Sequence, residues 1–88
     1  MNKIHEVPLE WALSADIKDK TTAECALVEV LVKVGDKVKH HDELAIIEAA
    51  KGTEAIESPV SGEIKAIFLE AREAPYLYGM ILCTIEEK

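Results

Sequence analysis

Sliding the chain against itself by 38 residues, without gaps, lays apolar side chains on apolar ones at a regular series of positions. Ala26 falls on Ile64, Val30 on Phe68, Leu31 on Leu69, Val38 on Tyr76, Leu44 on Leu82 and Ile47 on Ile85, and Glu48 falls on Glu86. An internal repeat constrains a fold more than any single motif, because one unit that cannot cover its own apolar face is completed by a second copy of itself. The matched positions are those a strand buries. Two copies of one β-unit facing each other predict a small all-β sandwich with barrel character and a quasi-twofold axis. The link between the copies, residues 49–60, is expected to lie on that axis at one end.

Within each copy the sequence reads as short strands broken by turns. Cys25 to Val34 is β-branched and apolar, and Gly35-Asp36-Lys37 follows as a turn, Gly accepting positive φ and Asp capping its own backbone. Glu43 to Glu48 is a second strand and Ala50 to Thr53 a break. Glu54 to Ser58 is a short strand ending at Pro59, Ser61-Gly62 a turn, and Glu63 to Glu70 another strand. The stretch from Ala71 to Gly79 contains Pro75 and is expected to be irregular, and Met80 to Glu86 is the last strand. Upstream, Ile4 to Val7 is a strand before Pro8, Leu9 to Ala15 suits a helical turn, and Asp16 to Thr22 is a polar surface loop.

With 88 residues, one domain spanning 1–88 is expected. A chain of this size buries only about 60–65% of the surface its unfolded form exposes, which leaves little room for an enclosed catalytic cavity. Aromatic residues are 5% of a chain that is 49% hydrophobic, so the core is expected to consist of Val, Ile, Leu and Ala. A net charge of −7 argues against a nucleic-acid surface and against an anionic membrane, and favours basic patches on protein partners. Lys3, His5, Glu6 and Glu10 interrupt any leader-like apolar run, so the expected location is cytoplasmic. Cys25 and Cys83 form no CxxC pair and no zinc spacing. Each lies in a strand-like run, where Cys behaves as a small buried hydrophobe.

One chemical feature stands out. Glu48-Ala49-Ala50-Lys51-Gly52-Thr53-Glu54 joins two strand-like runs as a hairpin with Lys51 at the tip, among small neighbours that leave its amine projecting into solvent. An exposed lysine is protonated near neutral pH. It suits acylation by a dedicated enzyme rather than catalysis of its own. On the hairpin alone, a plain solvated lysine is the favoured reading.

Several blocks at consistent spacing carry a family resemblance: Val32-Lys33-Val34-Gly35-Asp36-Lys37-Val38, Leu44 to Glu48, Lys51, Glu57-Ser58-Pro59-Val60-Ser61-Gly62-Glu63-Ile64, and Tyr78-Gly79-Met80-Ile81-Leu82. Over nearly its whole length the chain resembles a biotinyl/lipoyl attachment domain. The resemblance implies a flattened β-barrel or sandwich of two four-stranded antiparallel sheets, a barrel-sandwich hybrid, with the modified lysine at a hairpin tip remote from both termini. It implies a non-catalytic, monomeric carrier with lipoate attached to Lys51, flanked by Glu48, Ala49, Ala50 and Gly52. Biotin is the alternative cofactor and an unmodified interaction domain the third reading. The partners implied are a lipoate ligase or lipoyl transferase and the enzymes of a multienzyme complex.

The tip Ala50-Lys51-Gly52 departs from the Asp-Lys-Ala usual in lipoyl domains and from the Met-Lys-Met usual in biotin domains. Glu48-Ala49 leans toward biotin. Ile4 to Val7, Pro8, Trp11 and Leu13 resemble the opening of 2-oxoacid dehydrogenase transacylases, and no Pro/Ala-rich linker is present. His41 stands where a glycine is common, so that turn is expected to be non-standard. His40-His41 suggests no metal site, since adjacent strand residues point to opposite faces. Trp11 is expected to pack over the barrel edge.

Overall fold

The quasi-twofold relation is clearest between β4 (Glu43–Ala49) and β8 (Ile81–Glu87), whose limits are offset by the repeat length. Leu44 and Ile47 in one, and Leu82 and Ile85 in the other, are almost completely buried. Covering each such side chain is worth about 1.5–3 kcal/mol relative to leaving it in water. The computed structural model describes residues 2–13 and 15–88, with only the backbone of Ala74. Ser14, inside the stretch expected to form a helical turn, lies outside the described residues.

The remaining strands are β1 (Ile4–Pro8), β2 (Glu24–Val30), β3 (Lys37–Val38), β5 (Gly52–Glu57), β6 (Gly62–Ile67) and β7 (Arg72–Leu77). They form two four-stranded antiparallel sheets, ordered β1-β8-β6-β3 and β5-β4-β2-β7. Replacing β4 by β8, β2 by β6, β7 by β3 and β5 by β1 converts one order into the other. This is the flattened sandwich with quasi-twofold symmetry that the repeat predicts. The link between the copies is not on the axis, however. Its strand β5 pairs with β4 at a sheet edge, in the place that β1 takes beside β8. Each central pair carries one bulge, near Val28 in β2·β4 and near Lys65 in β6·β8.

Other expectations need correction. The stretch around Pro75 is not irregular but forms β7. Among the described residues it is an edge strand paired with β2 alone, where a residue without an N–H does little harm. Ser61-Gly62 is not a simple turn: Gly62 opens β6 within the sheet and is buried. A Cβ there would run into the backbone carbonyl of Glu86 on β8, so glycine is required by close approach. No helix forms over the described residues of Leu9 to Ala15. Among the described residues the helical element is a single 3-10 turn, Lys20–Thr22, capped by Asp19. Asp19 accepts from the Thr21 N–H and Oγ1 at 3.0 and 2.6 Å, and these bonds hold its carboxyl below the usual carboxylate range. Among the described residues no helix is long and apolar enough to cross a membrane.

Strand directions set the two ends of the sandwich. β4 runs toward Ala49, where Tyr78 N–H donates to the Ala23 carbonyl and Leu9 exchanges bonds with Gly79 and Met80. At the other end Ile4 pairs with Glu86, and Lys88 N–H donates to the Ser61 carbonyl. Lys3 and Lys88 therefore lie at the end opposite the β4–β5 hairpin.

Candidate lysine hairpin

The hairpin is tighter than its sequence suggests. Ala49 pairs with Gly52, so only Ala50 and Lys51 make the turn. Gly52, at φ +126, completes the reversal, a conformation that strains an L-residue by roughly 1–3 kcal/mol. Nothing lies within 4 Å of a Cβ built at Gly52, so the position needs glycine for its backbone and not for space. Lys51 and Ala50 are exposed, Ala49 is half-buried, and Glu48 points out to solvent beside Thr53 on β5. The flanking residues named from sequence are thus together at one tip. They present small side chains with an acidic one a short way down the strand.

Lys51 does not stand clear of the surface, as sequence reasoning expected. Its Nζ donates to the Leu13 carbonyl at 3.2 Å. Leu13 belongs to an irregular strap, residues 9–13, that leaves β1 and passes behind the hairpin. The strap is tied down at three points. Leu9 N–H donates to the Met80 carbonyl at 2.8 Å, and the Leu9 carbonyl accepts from Gly79 N–H at 2.8 Å. Trp11 is buried and packs edge-on against Tyr78, ring centroids 4.9 Å apart. The Ala12 N–H donates to Glu54 Oε2 on β5 at 3.2 Å. A shallow cleft of about 80 Å3 runs under the tip, lined by Trp11, Leu13, Ile17, Ala23, Ala50 and Lys51. Sequence reasoning expected Trp11 to pack over the barrel edge; it is instead a buried member of the core. That reasoning also missed the strap as a whole, whose one signal was the apolar Leu9, Trp11, Ala12 and Leu13 just ahead of a polar stretch.

His40 and His41 lie at the opposite end of the sandwich from Lys51. Their rings stack at 3.8 Å and 15°, and His41 Nδ1 is 3.1 Å from Glu57 Oε1. The turn they occupy is closed by an ordinary backbone bond but is unusual in its third residue. Asp42 N–H donates to the Lys39 carbonyl at 2.9 Å, and His41 takes the left-handed conformation, φ +78, that a glycine would adopt. Cys25 and Cys83 are buried free thiols in the two sheets. Burial pushes Cys83 up to about 11 and raises Cys25 as well, so neither is a ready nucleophile.

A family profile described as biotin-requiring enzyme (biotin/lipoyl) matches residues 17–85. Among curated proteins, the probable glycine cleavage system H protein of Natronomonas pharaonis is 38% identical over 47 residues. The aligned stretch covers 53% of this chain, and the chain spans 37% of the length of that relative.

Proposed function

The chain belongs to the biotin/lipoyl attachment family, and on that premise we propose that it is a swinging-arm carrier with lipoate joined as an amide to Lys51. The observation that carries this reading is the tip itself: one exposed lysine at a two-residue reversal, between Ala50 and a Gly52 that open space surrounds. An attaching enzyme can close around such a tip without meeting side chains. The hairpin's paired strands hold the attachment point on a rigid support, and the lysine stem supplies the reach.

The residues present suit the cofactor. When bound there, a dithiolane supplies the reversible group carriage that no side chain of this chain provides. Lys51 contributes the amide nitrogen, and tethering keeps the arm at high effective concentration for each site it visits. Lipoate is favoured over biotin on two grounds. The similarity to a probable glycine cleavage system H protein favours lipoate. Ala50 and Gly52 also replace the two methionines usual in biotin domains, which removes long apolar contacts from a biotin ligase.

The partners are the ligase or transferase and the enzymes that load and unload the arm. The residues of β1, Trp11 and Leu13 favour an acyl cargo in a 2-oxoacid dehydrogenase complex. The relative's name favours a glycine cleavage system as the second home. Offering the unmodified protein lipoate ligase with lipoate and ATP, and in parallel biotin ligase with biotin and ATP, tests the reading by intact mass and peptide mapping. Gain of one lipoyl group on Lys51 is expected to be the faster reaction. Biotin transfer without lipoyl transfer would promote the biotin carrier, and transfer by neither would promote the unmodified interaction domain.

A further inference from the structure

Two hydrogen bonds cross between the strap and the hairpin, and they are linked. Glu54, half-buried on β5, accepts from the Ala12 N–H, and the next residue of the strap, Leu13, offers its carbonyl to Lys51 Nζ. The strap segment near Leu9 and Trp11 is anchored independently, through Met80, Gly79 and Tyr78. Beyond Trp11, the Leu13 side chain packs partly against the core, and the Ala12 N–H is bonded to the hairpin strands through the Glu54 carboxylate. The strap also lies outside residues 17–85, the span that the family profile matches.

We propose that Glu54 is a positioning residue for acylation of Lys51: by pinning the strap at Ala12 it sets the Leu13 carbonyl beside the amine and holds the side chain down over the cleft. This role for Glu54 rests on Lys51 being the attachment site. Acylation requires the Nζ lone pair to reach an activated acyl carbon. The new N–C bond forms as the bond from that carbon to its leaving oxygen breaks, and an Nζ proton passes to solvent. While Nζ is bonded to Leu13, the side chain lies along the strap and the strap shields one side of the nitrogen. The stem must first rotate outward and give up that bond. A single exposed hydrogen bond of this kind slows the reaction by about two- to fivefold relative to an unrestrained lysine. The hairpin is therefore held closed to adventitious acylation. A dedicated enzyme that grips the tip supplies the contacts that lift the lysine.

Limited acetylation of the folded, unmodified protein with the N-hydroxysuccinimide ester of acetate, read lysine by lysine by mass spectrometry, tests this without any ligase. The exposed Lys33 and Lys37 serve as internal references. In the native sequence Lys51 is expected to react more slowly than both. In Glu54→Ala the ratio of Lys51 to the references is expected to rise about two- to fivefold, with exchange of the Ala12 amide accelerated. Glu54→Gln keeps an oxygen that can accept from Ala12 and is expected to stay near the native ratio. Lys51 reacting as fast as the references in the native protein overturns the proposal without recourse to a variant. So does an unchanged ratio in Glu54→Ala, or a Glu54→Gln variant that behaves like Glu54→Ala. If the ratios respond as expected while lipoate ligase leaves Lys51 untouched, the carrier reading falls and the strap restraint stands.

Discussion

His41 and Gly79 occupy the same place in the two copies of the fold. Each is the third residue of a four-residue turn, Lys39–Asp42 in one copy and Leu77–Met80 in the other, and each has positive φ, +78 and +88. The second copy has the residue this conformation favours, and the first has an imidazole. The contacts His41 makes in return, a stack on His40 and an exposed pairing with Glu57, are of the kind worth little in water. His41→Gly is therefore expected to stabilise the protein by about 0.5–1 kcal/mol, part of the gain being offset by the greater freedom of glycine in the unfolded chain. A urea titration reads the change. A lower midpoint would mean that the stack and the Glu57 contact outweigh the backbone strain.

Gly62→Ala should be far more damaging than its size suggests. The added methyl group is directed at the Glu86 carbonyl in the neighbouring strand, and a backbone partner in a ladder cannot move aside as a side chain can. A loss of about 1–3 kcal/mol is expected, the range of overpacking in a close-packed interior. Gly35 makes the contrasting case. It sits at φ +97 with open space around it, so Gly35→Val should cost roughly 1–3 kcal/mol through backbone strain alone. Thermal melts of both variants would show this. A Gly62→Ala protein as stable as the parent would mean that β6 and β8 are not held in the register described.

Lys51→Ala is expected to leave the melting curve nearly unchanged, within about 0.5 kcal/mol, because its one polar contact is exposed and its neighbours are small. The same variant should accept no lipoyl group. Retained lipoylation, located by peptide mapping on Lys33, Lys37 or Lys65, would remove Lys51 from its proposed role. A large loss of stability would show that its bond to the strap is structural.

The buried thiols predict a pH dependence on the alkaline side. In the unfolded chain Cys83 ionises near the ordinary thiol value of about 8.5. In the folded protein burial keeps it protonated up to about 11. Between those values the folded state binds more protons than the unfolded one. The stabilising effect is therefore fully present below the unfolded value and is lost as pH rises toward the folded one. Urea midpoints measured from pH 8 to 11 should fall less steeply in Cys83→Val than in the native protein. Parallel curves would place the thiolate of Cys83 in contact with water.

The sandwich was legible in the sequence because its evidence is distributed. Leu44 with Leu82 and Ile47 with Ile85 repeat one burial pattern, and no single substitution hides it. Pro75 misled because it bars a central strand but not an edge one, and which strands are edges is a property of topology rather than of the local sequence. β3 is only Lys37–Val38, too short for any alternation to register. The candidate lysine could be read from its small neighbours and the hairpin. Its tether could not, because the partner is the backbone carbonyl of Leu13, and a carbonyl is present at every residue and leaves no mark in the sequence.

Because β1 pairs with β8 just as β5 pairs with β4, the fold is closed in a sense that the linear chain is not. Ile4 and Glu86 are partners across that pair, so a short turn could splice one terminus to the other without disturbing either sheet. The fold thus has two equivalent corners, one made by the β4–β5 turn and one where Ile4 meets Glu86, and a circular permutant nicked at another exposed loop should keep the same core. Closing the second corner with a copy of the Ala50-Lys51-Gly52 turn would place a second lysine tip at the opposite pole. A domain built to carry one arm would then become a two-ended scaffold, with its arms held apart by the length of the sandwich.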